Sequence, residues 1–413
     1  MITLSKLDKS YLFGAKKWTD EKMNLPEELQ KALTELLFTR PSKIQQYTIP
    51  IITKKQEDGS FVNLIAQSQN GSGKTLAFGL GSLCRIDPSL NEVQVVVLSP
   101  TRELSRQTFQ IYQKLSKYLR TSLELVTLEK KRLDFNQVML GTPGKMFDVT
   151  KRFKPKFKNV RVFVLDEADM LFTSQQMQGQ TLMVHKNLNP KKQCLLFSAT
   201  FPEEVKEQAT KIIKEAAFLQ MKKEELTLKG VQQLYIEVDE RAREETLHSL
   251  YKEIEVKQTV VFVNKRDTSK CLYKFMHERG HNVSVLFGKE MSPEERDLTI
   301  DKFQSKETRI LLTTNVLARG IDNRTVTLVV NYDLPLTFTP NPADKKLDFE
   351  TYLHRIGRTG RFGDEGLALN FVKNQQDRKF LKDIENYYDC KIKPLTSIQE
   401  LSPLLEKLEG DDY

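Results

Sequence analysis

At 413 residues the chain is too long for one ordinary hydrophobic core and suits two domains of about 200 residues each. Hydrophobic residues at 39% and charged residues at 29% are ordinary for a globular protein, while 64 Lys and Arg against 55 Asp and Glu leave +9, a mild bias toward polyanionic partners that a basic solvated surface would also explain. No apolar run approaches the roughly 18 residues of a membrane span, and Cys84, Cys194, Cys271 and Cys390 lie far apart without a CxxC pair, which excludes a zinc ribbon, a disulfide framework and membrane insertion.

The first 17 residues read as a short N-terminal extension without a signal peptide's apolar stretch, and a cytoplasmic or nuclear location is expected. From Phe61 onward, short Val/Ile/Leu runs alternate with longer amphipathic stretches, the pattern of parallel strands joined by crossover helices. Strands are expected at 62–66, 93–98, 160–165 and 193–197. A polar stretch, KKEELTLKG at 222–230, reads as a linker. A second series follows at 259–263, 283–286, 309–312, 325–330 and 366–371, with an exposed Pro/Asp/Lys-rich loop at 337–348. The layout is therefore α/β, with tandem domains at 18–221 and 231–395 and a C-terminal tail at 396–413. In such sheets ligands bind beyond the carboxyl ends of the strands, where most of these runs meet a polar motif.

AQSQNGSGKT, 66–75, follows a strand and precedes a helical stretch, the context of a phosphate-binding loop. Gly71 and Gly73 let backbone N–H groups approach phosphates, with Gln69 and Ser72 beside them; Lys74 reaches the β and γ phosphates, and the Thr75 hydroxyl suits Mg²⁺. Ala66 stands where the commonest form of this loop has Gly, and the segment alone would also read as a Gly-rich turn opening a helix. Asp166, Glu167 and Asp169 follow the VFVL run: Asp166 at the strand end suits Mg²⁺ through its water shell, and Glu167 suits the proton of an attacking water. Taken alone, these carboxylates read equally as a solvated loop.

PSKIQ (41–45), the 66–75 loop, PTRELSRQ (100–107), TPG (142–144), DEAD (166–169), SAT (198–200), ARGID (318–322) and HRIGRTGR (354–361) occur in the order found in DEAD-box RNA helicases, and over residues 18–395 the chain resembles that family. The resemblance implies two tandem RecA-like domains, ATP and Mg²⁺ as cofactors, a monomer, and single-stranded RNA held through phosphates and 2′-hydroxyls without regard to sequence. It implies that Gln45 reads adenine and Phe38 stacks on it. Gly320 and Asp322 would meet the nucleotide and its ribose, and Arg358 and Arg361 would be arginine fingers for the γ-phosphate. Ser198, Thr200 and His354 are implied as coupling residues, and Thr101, Arg102, Thr142, Gly144, Arg296 and Thr313 as RNA contacts. The chain departs from the family at three points: residues 125–136 lack a Gly-Gly doublet, Lys145 replaces an Arg after TPG, and Pro293 stands in the Gln place before Arg296.

NYDLP (331–335) and the insertion before HRIGRTGR look most like the mRNA-export branch at the cytoplasmic face of the nuclear pore. That likeness implies ribonucleoprotein remodelling, an inositol-hexakisphosphate-bound activator and a nucleoporin as partners, and a place in cytoplasm and nucleus at the pore periphery. Three other readings stay open: an ATP-dependent RNA clamp, a translation or splicing paralogue, and a DNA-directed NTPase.

Overall fold

The computed structural model describes residues 3–5, 14–69, 71–127, 133–172, 174–213, 215–221, 230–287, 290–314, 325–337, 346–360 and 365–409. The chain divides into two compact units, Met1–Leu226 and Thr227–Tyr413, each built on its own sheet. Eight of the nine residues 222–230 expected as a linker, and 338–345 of the expected exposed loop, lie outside the described residues.

The first sheet contains β1 (Thr3–Ser5), β2 (Leu64–Gln67), β3 (Val95–Leu98), β4 (Leu123–Val126), β5 (Val138–Gly141), β6 (Val162–Asp166), β7 (Gln193–Ser198) and β8 (Ala217–Gln220), in the order β1-β8-β2-β7-β6-β3-β5-β4. All neighbours are parallel except β1, which pairs antiparallel with β8 at one edge. The continuous apolar runs follow from burial on both faces. Val95, Val97, Val162 and Val164 pack into one core cluster, while Val96, Leu98, Phe163 and Leu165 pack into another on the opposite face.

The second sheet repeats the plan with β9 (Val231–Glu237), β10 (Gln258–Phe262), β11 (Val283–Leu286), β12 (Ile310–Thr313), β13 (Val326–Asn331), β14 (Gly366–Val372) and β15 (Ile392–Leu395), all parallel in the order β11-β12-β10-β13-β14-β9-β15. Val261 and Val330 face one core and Val260 and Val329 the other.

Every expected strand is present within about two residues, and among the described residues six further strands are present that the apolar runs did not mark. Two of them carry polar residues that the fold buries: Glu124 in β4 is 2% exposed, and Gln233 in β9 accepts from the Tyr352 hydroxyl at 2.9 Å. Past residue 395 the chain continues into the second unit's core. A 3-10 turn at Ile398–Leu401 and a helix at Ser402–Glu409 bury Leu401 and Leu405 beside Leu247 and Leu250.

Candidate nucleotide and RNA sites

Parallel pairing puts the carboxyl ends of β2, β7, β6, β3 and β5 along one edge of the first sheet, and the motif loops leave from there. The loop after β2 turns through Gly71 (φ 72°) and Gly73 (φ 92°), left-handed positions that glycine adopts without strain, and opens the helix Lys74–Leu83. Lys74 is buried and its Nζ donates to the carbonyls of Ser68 at 2.9 Å and Gln69 at 3.2 Å. Ser68 Oγ and Ser72 Oγ lie 2.7 Å apart, closing the loop around the ammonium group, and Thr75 is half-buried in the first helical turn.

The PSKIQ segment holds that loop from outside. Ser42 caps the helix Lys43–Thr53, and its Oγ donates to the Ser72 carbonyl at 2.7 Å. Gln45 Oε1 accepts from the Ser42 N–H at 2.7 Å while its Nε2 donates to the Gly73 carbonyl at 3.1 Å. Gln45, expected to read adenine, thus has its carboxamide bonded to backbone at both ends. Phe38 is half-buried against the first core, and its carbonyl accepts from Trp18 Nε1 at 2.9 Å.

Asp166 ends β6 at 2% exposure, with its Oδ1 accepting from the Glu167 N–H at 3.0 Å. Burial pushes its carboxyl above the usual range and the Glu167 charge adds to this, against a downward pull from Lys74. Glu167 takes a left-handed φ of 48°, and its buried Oε2 has no hydrogen-bond partner among the described residues. A buried carboxylate oxygen left open next to Asp166, with a hydroxyl at Thr75 in the first turn after the phosphate loop, is an all-oxygen set of donors of the kind Mg²⁺ and its waters take, so the residue types present fit the expected ion.

Asp169 joins this loop to SAT. Its Oδ2 accepts from Thr200 at 2.6 Å, and its N–H donates to Ser198 Oγ at 3.4 Å. Ser198 O in turn accepts from the Ser68 N–H at 3.1 Å, and the Ala199 carbonyl accepts from Gln67 Nε2 at 3.2 Å. Ser198 therefore bonds to both the phosphate loop and the carboxylate loop, and Thr200 to the carboxylate loop.

Of the expected RNA contacts, Thr101 caps the helix Arg102–Leu115 through the Leu104 N–H at 3.2 Å, with Arg102 half-buried after it. Thr142 precedes the helix Pro143–Arg152 and Gly144 lies in its first turn, both half-buried. These four residues follow the neighbouring strands β3 and β5, on the edge that carries the other motifs.

In the second unit, Arg296 is half-buried on the helix Pro293–Gln304, which a Ser292/Glu295 capping box opens. Pro293 sits at the first helical position, where the missing N–H costs nothing, so the departure at this place is a helix start. Thr313 is fully buried with its hydroxyl donating to the Leu286 and Thr314 carbonyls, both at 3.2 Å, and presents no surface to a polymer. His354 and Arg358 lie at the end of the helix Phe349–Ile356, both buried, and Arg358 Nε donates to the His354 carbonyl at 3.0 Å. Gly320, Asp322 and Arg361 lie outside the described residues.

Residues 42–208 match the DEAD/DEAH box helicase family and 242–363 the helicase conserved C-terminal domain. The ATP-dependent RNA helicase DBP5 of Kluyveromyces lactis is 39% identical over 394 residues, covering 94% of this chain and 82% of the relative. The chain belongs to the DEAD/DEAH box helicase family. It is an ATP-dependent RNA helicase with two tandem RecA-like domains. Among solved structures the helicase is similar to S. cerevisiae Dbp5 bound to RNA and ADP BeF3, 36% identical at a TM-score of 0.88, covering 95% of this chain and all of the other. It is also similar to S. cerevisiae Dbp5 bound to Nup159, Gle1, IP6 and ADP, 34% identical at a TM-score of 0.68 over 94% of this chain and all of the other.

Arg355 and Asp169 are helicase residues whose structural roles the motif reading passed over. Arg355 is fully buried, donating to Asn331 Oδ1 at 3.2 Å, the Asp333 carbonyl at 2.6 Å and Asn264 Oδ1 at 3.0 Å. Burial pushes it down to about 9, with Asp333 opposing. It anchors the helix that carries His354 and leads into Arg358. Both residues stood inside quoted motifs, and the signal that would have singled them out is a charge placed where a buried strand or helix leaves no water.

Proposed function

We propose that the chain couples ATP hydrolysis to the remodelling of ribonucleoproteins or the opening of short RNA duplexes during mRNA export. The observation that carries the hydrolytic half is the open, buried Glu167 Oε2 beside Asp166 and the loop that holds Lys74. In this reading Gln69, Gly71, Ser72, Gly73 and Lys74 cradle the phosphates while Gln45 and Phe38 receive the base. Glu167 takes the proton of the attacking water. Asp166 and Thr75 hold Mg²⁺, which when bound neutralises charge on the phosphates. Gly320 and Asp322 meet the ribose side, and Arg358 and Arg361 offer guanidinium groups to phosphoryl oxygens. Thr101, Arg102, Thr142, Gly144 and Arg296 hold the RNA backbone. Thr313 we now read as supporting the end of β12 from within. Residues 222–230 we read as the linker between domains at 18–221 and 231–395.

The S. cerevisiae relative solved with RNA supports RNA as the polymer, and the one solved with Nup159, Gle1 and IP6 supports a nucleoporin and an inositol-hexakisphosphate-bound activator as partners. A place at the nuclear pore, shared between cytoplasm and nucleus, follows from that reading. No helix among the described residues is long and apolar enough to cross a membrane.

The test is Glu167→Gln in the full chain. Nucleotide affinity is expected to stay within about twofold while RNA-stimulated turnover falls about 10²-fold or more, the range for loss of a general base. Turnover near the parent level would remove Glu167 from the role. Parallel rates with RNA, DNA and no polymer separate an RNA enzyme from a DNA-directed one, because only RNA carries the 2′-hydroxyl.

A further inference from the structure

Residues 151–158 read KRFKPKFK, five cations in eight positions. Lys151 and Arg152 end the helix Pro143–Arg152, and Lys154, Lys156 and Lys158 lie in and just after the 3-10 turn Lys154–Phe157; all five are exposed. Among the described residues none of the five forms an ion pair. The nearby acids do not balance them: Asp87 is paired with Arg161 at 3.3 Å and Glu92 accepts from Asn159, which leaves Asp148 on the same helix and Asp134 beside Phe135, two carboxylates for five cations. The helix dipole accounts for cations in the last helical turn, at Lys151 and Arg152. It does not account for the three lysines beyond.

Aromatic rings lie under this charge. Arg152 sits 5.1 Å over the half-buried Phe153 ring and Lys156 5.6 Å over the half-buried Phe135 ring, and those two rings meet edge-on at 5.1 Å. Exposed Lys186 and Lys191 extend the patch. They precede β7 as the basic run precedes β6, and these strands are parallel neighbours, so both segments lie on the same edge of the sheet. That edge is opposite the motif loops. The helix joining the two edges has 10 residues, about 15 Å, and begins at Thr142 and Gly144.

Cations without counter-charges over partly open aromatic rings are the surface that binds single-stranded nucleic acid without reading sequence. We infer that this basic edge of the first unit holds the flank of the RNA strand beyond the contacts at Thr142 and Gly144, with Lys154, Lys156 and Lys158 on phosphates. The inference rests on RNA being the polymer. It adds a second grip that long RNAs reach and short ones do not.

The experiment compares the full chain with Lys154→Gln/Lys156→Gln/Lys158→Gln, and with the matching triple Lys→Arg variant. Binding of oligouridines of about 6 and about 20 nucleotides is measured with a non-hydrolysable ATP analogue between about 50 and 200 mM salt. Each phosphate contact on a single strand contributes about 0.7 to the log–log salt slope, so losing three lowers the slope for the long oligomer by about 2. Across that salt range the parent's affinity should therefore fall about 15-fold further than the Gln variant's. The short oligomer's affinity, its stimulation of ATP hydrolysis and the melting curve should be unchanged, and the Arg variant should keep the parent slope. Equal slopes for parent and Gln variant on the long oligomer would overturn the inference, as would the same loss in the Arg variant. Loss of polyglutamate binding with RNA binding intact would also overturn it, assigning the patch to an acidic polypeptide. If the parent bound neither oligomer, the RNA reading itself would fall, a result distinct from either.

Discussion

Thr200 and His281 show how single side chains set testable properties. The Thr200 hydroxyl donates to Asp169 Oδ2 at 2.6 Å, and Asp169 is 2% exposed. Thr200→Val withdraws a donor from a buried carboxylate, a change that costs about 1–3 kcal/mol. Chemical denaturation should register this loss, and duplex opening should fall more than ATP hydrolysis if SAT couples the two. His281 Nε2 lies 2.8 Å from His248 Nδ1, so one ring donates and the other accepts. Burial, then the His248 and Arg279 charges, hold His281 below the ordinary imidazole range. Below about pH 6.5 the unfolded chain takes up a proton there that the folded chain does not, so stability is full above that pH and falls as the medium becomes more acidic. Urea midpoints at about pH 7.5 and 5.5 should differ by less in His281→Gln than in the parent.

At the scale of elements, the phosphate loop depends on one glycine more than on its neighbours. Gly73 has φ 92°, and a Cβ added there would collide with Gln45 Nε2. Gly73→Ala should therefore break the Gln45 bond to the loop, destabilise the first unit by about 1–3 kcal/mol and weaken nucleotide binding, read by melting and by nucleotide titration. The sequence marked that loop and its helix because glycines, a lysine and a hydroxyl must follow a strand in that order. It did not mark the partner, because nothing in PSKIQ announces that Gln45 bonds to a carbonyl 28 positions away. Strands showed the same division. Runs such as VVVL at 95–98 are buried on both faces and legible at once, whereas VQQLYIE at 231–237 hides Gln233 among hydrogen bonds supplied by a distant helix. The helix Ser402–Glu409 was legible but passed over: Leu401, Leu404, Leu405 and Leu408 stand at helical spacing, and a stretch of little more than two turns next to the chain end gives that pattern little weight until the second core receives it.

The whole molecule carries separate cores. Within the first unit, buried side chains cluster on the two faces of the first sheet, and the second unit has its own clusters around β9–β15. Two such cores need not unfold in a single step. Leu405→Ala empties part of the second core and should cost about 2–5 kcal/mol, lowering one calorimetric transition and leaving the other in place. A single transition that moves as a block would show that the units melt as one. Glu167 has a consequence on this scale too. It combines a left-handed backbone with a carboxylate oxygen that no described residue satisfies, and each is a local disadvantage to folding. Asn tolerates that backbone and carries no charge, so selection for heat resistance alone would drift away from glutamate here, and its persistence in a laboratory lineage would report that turnover is still being demanded.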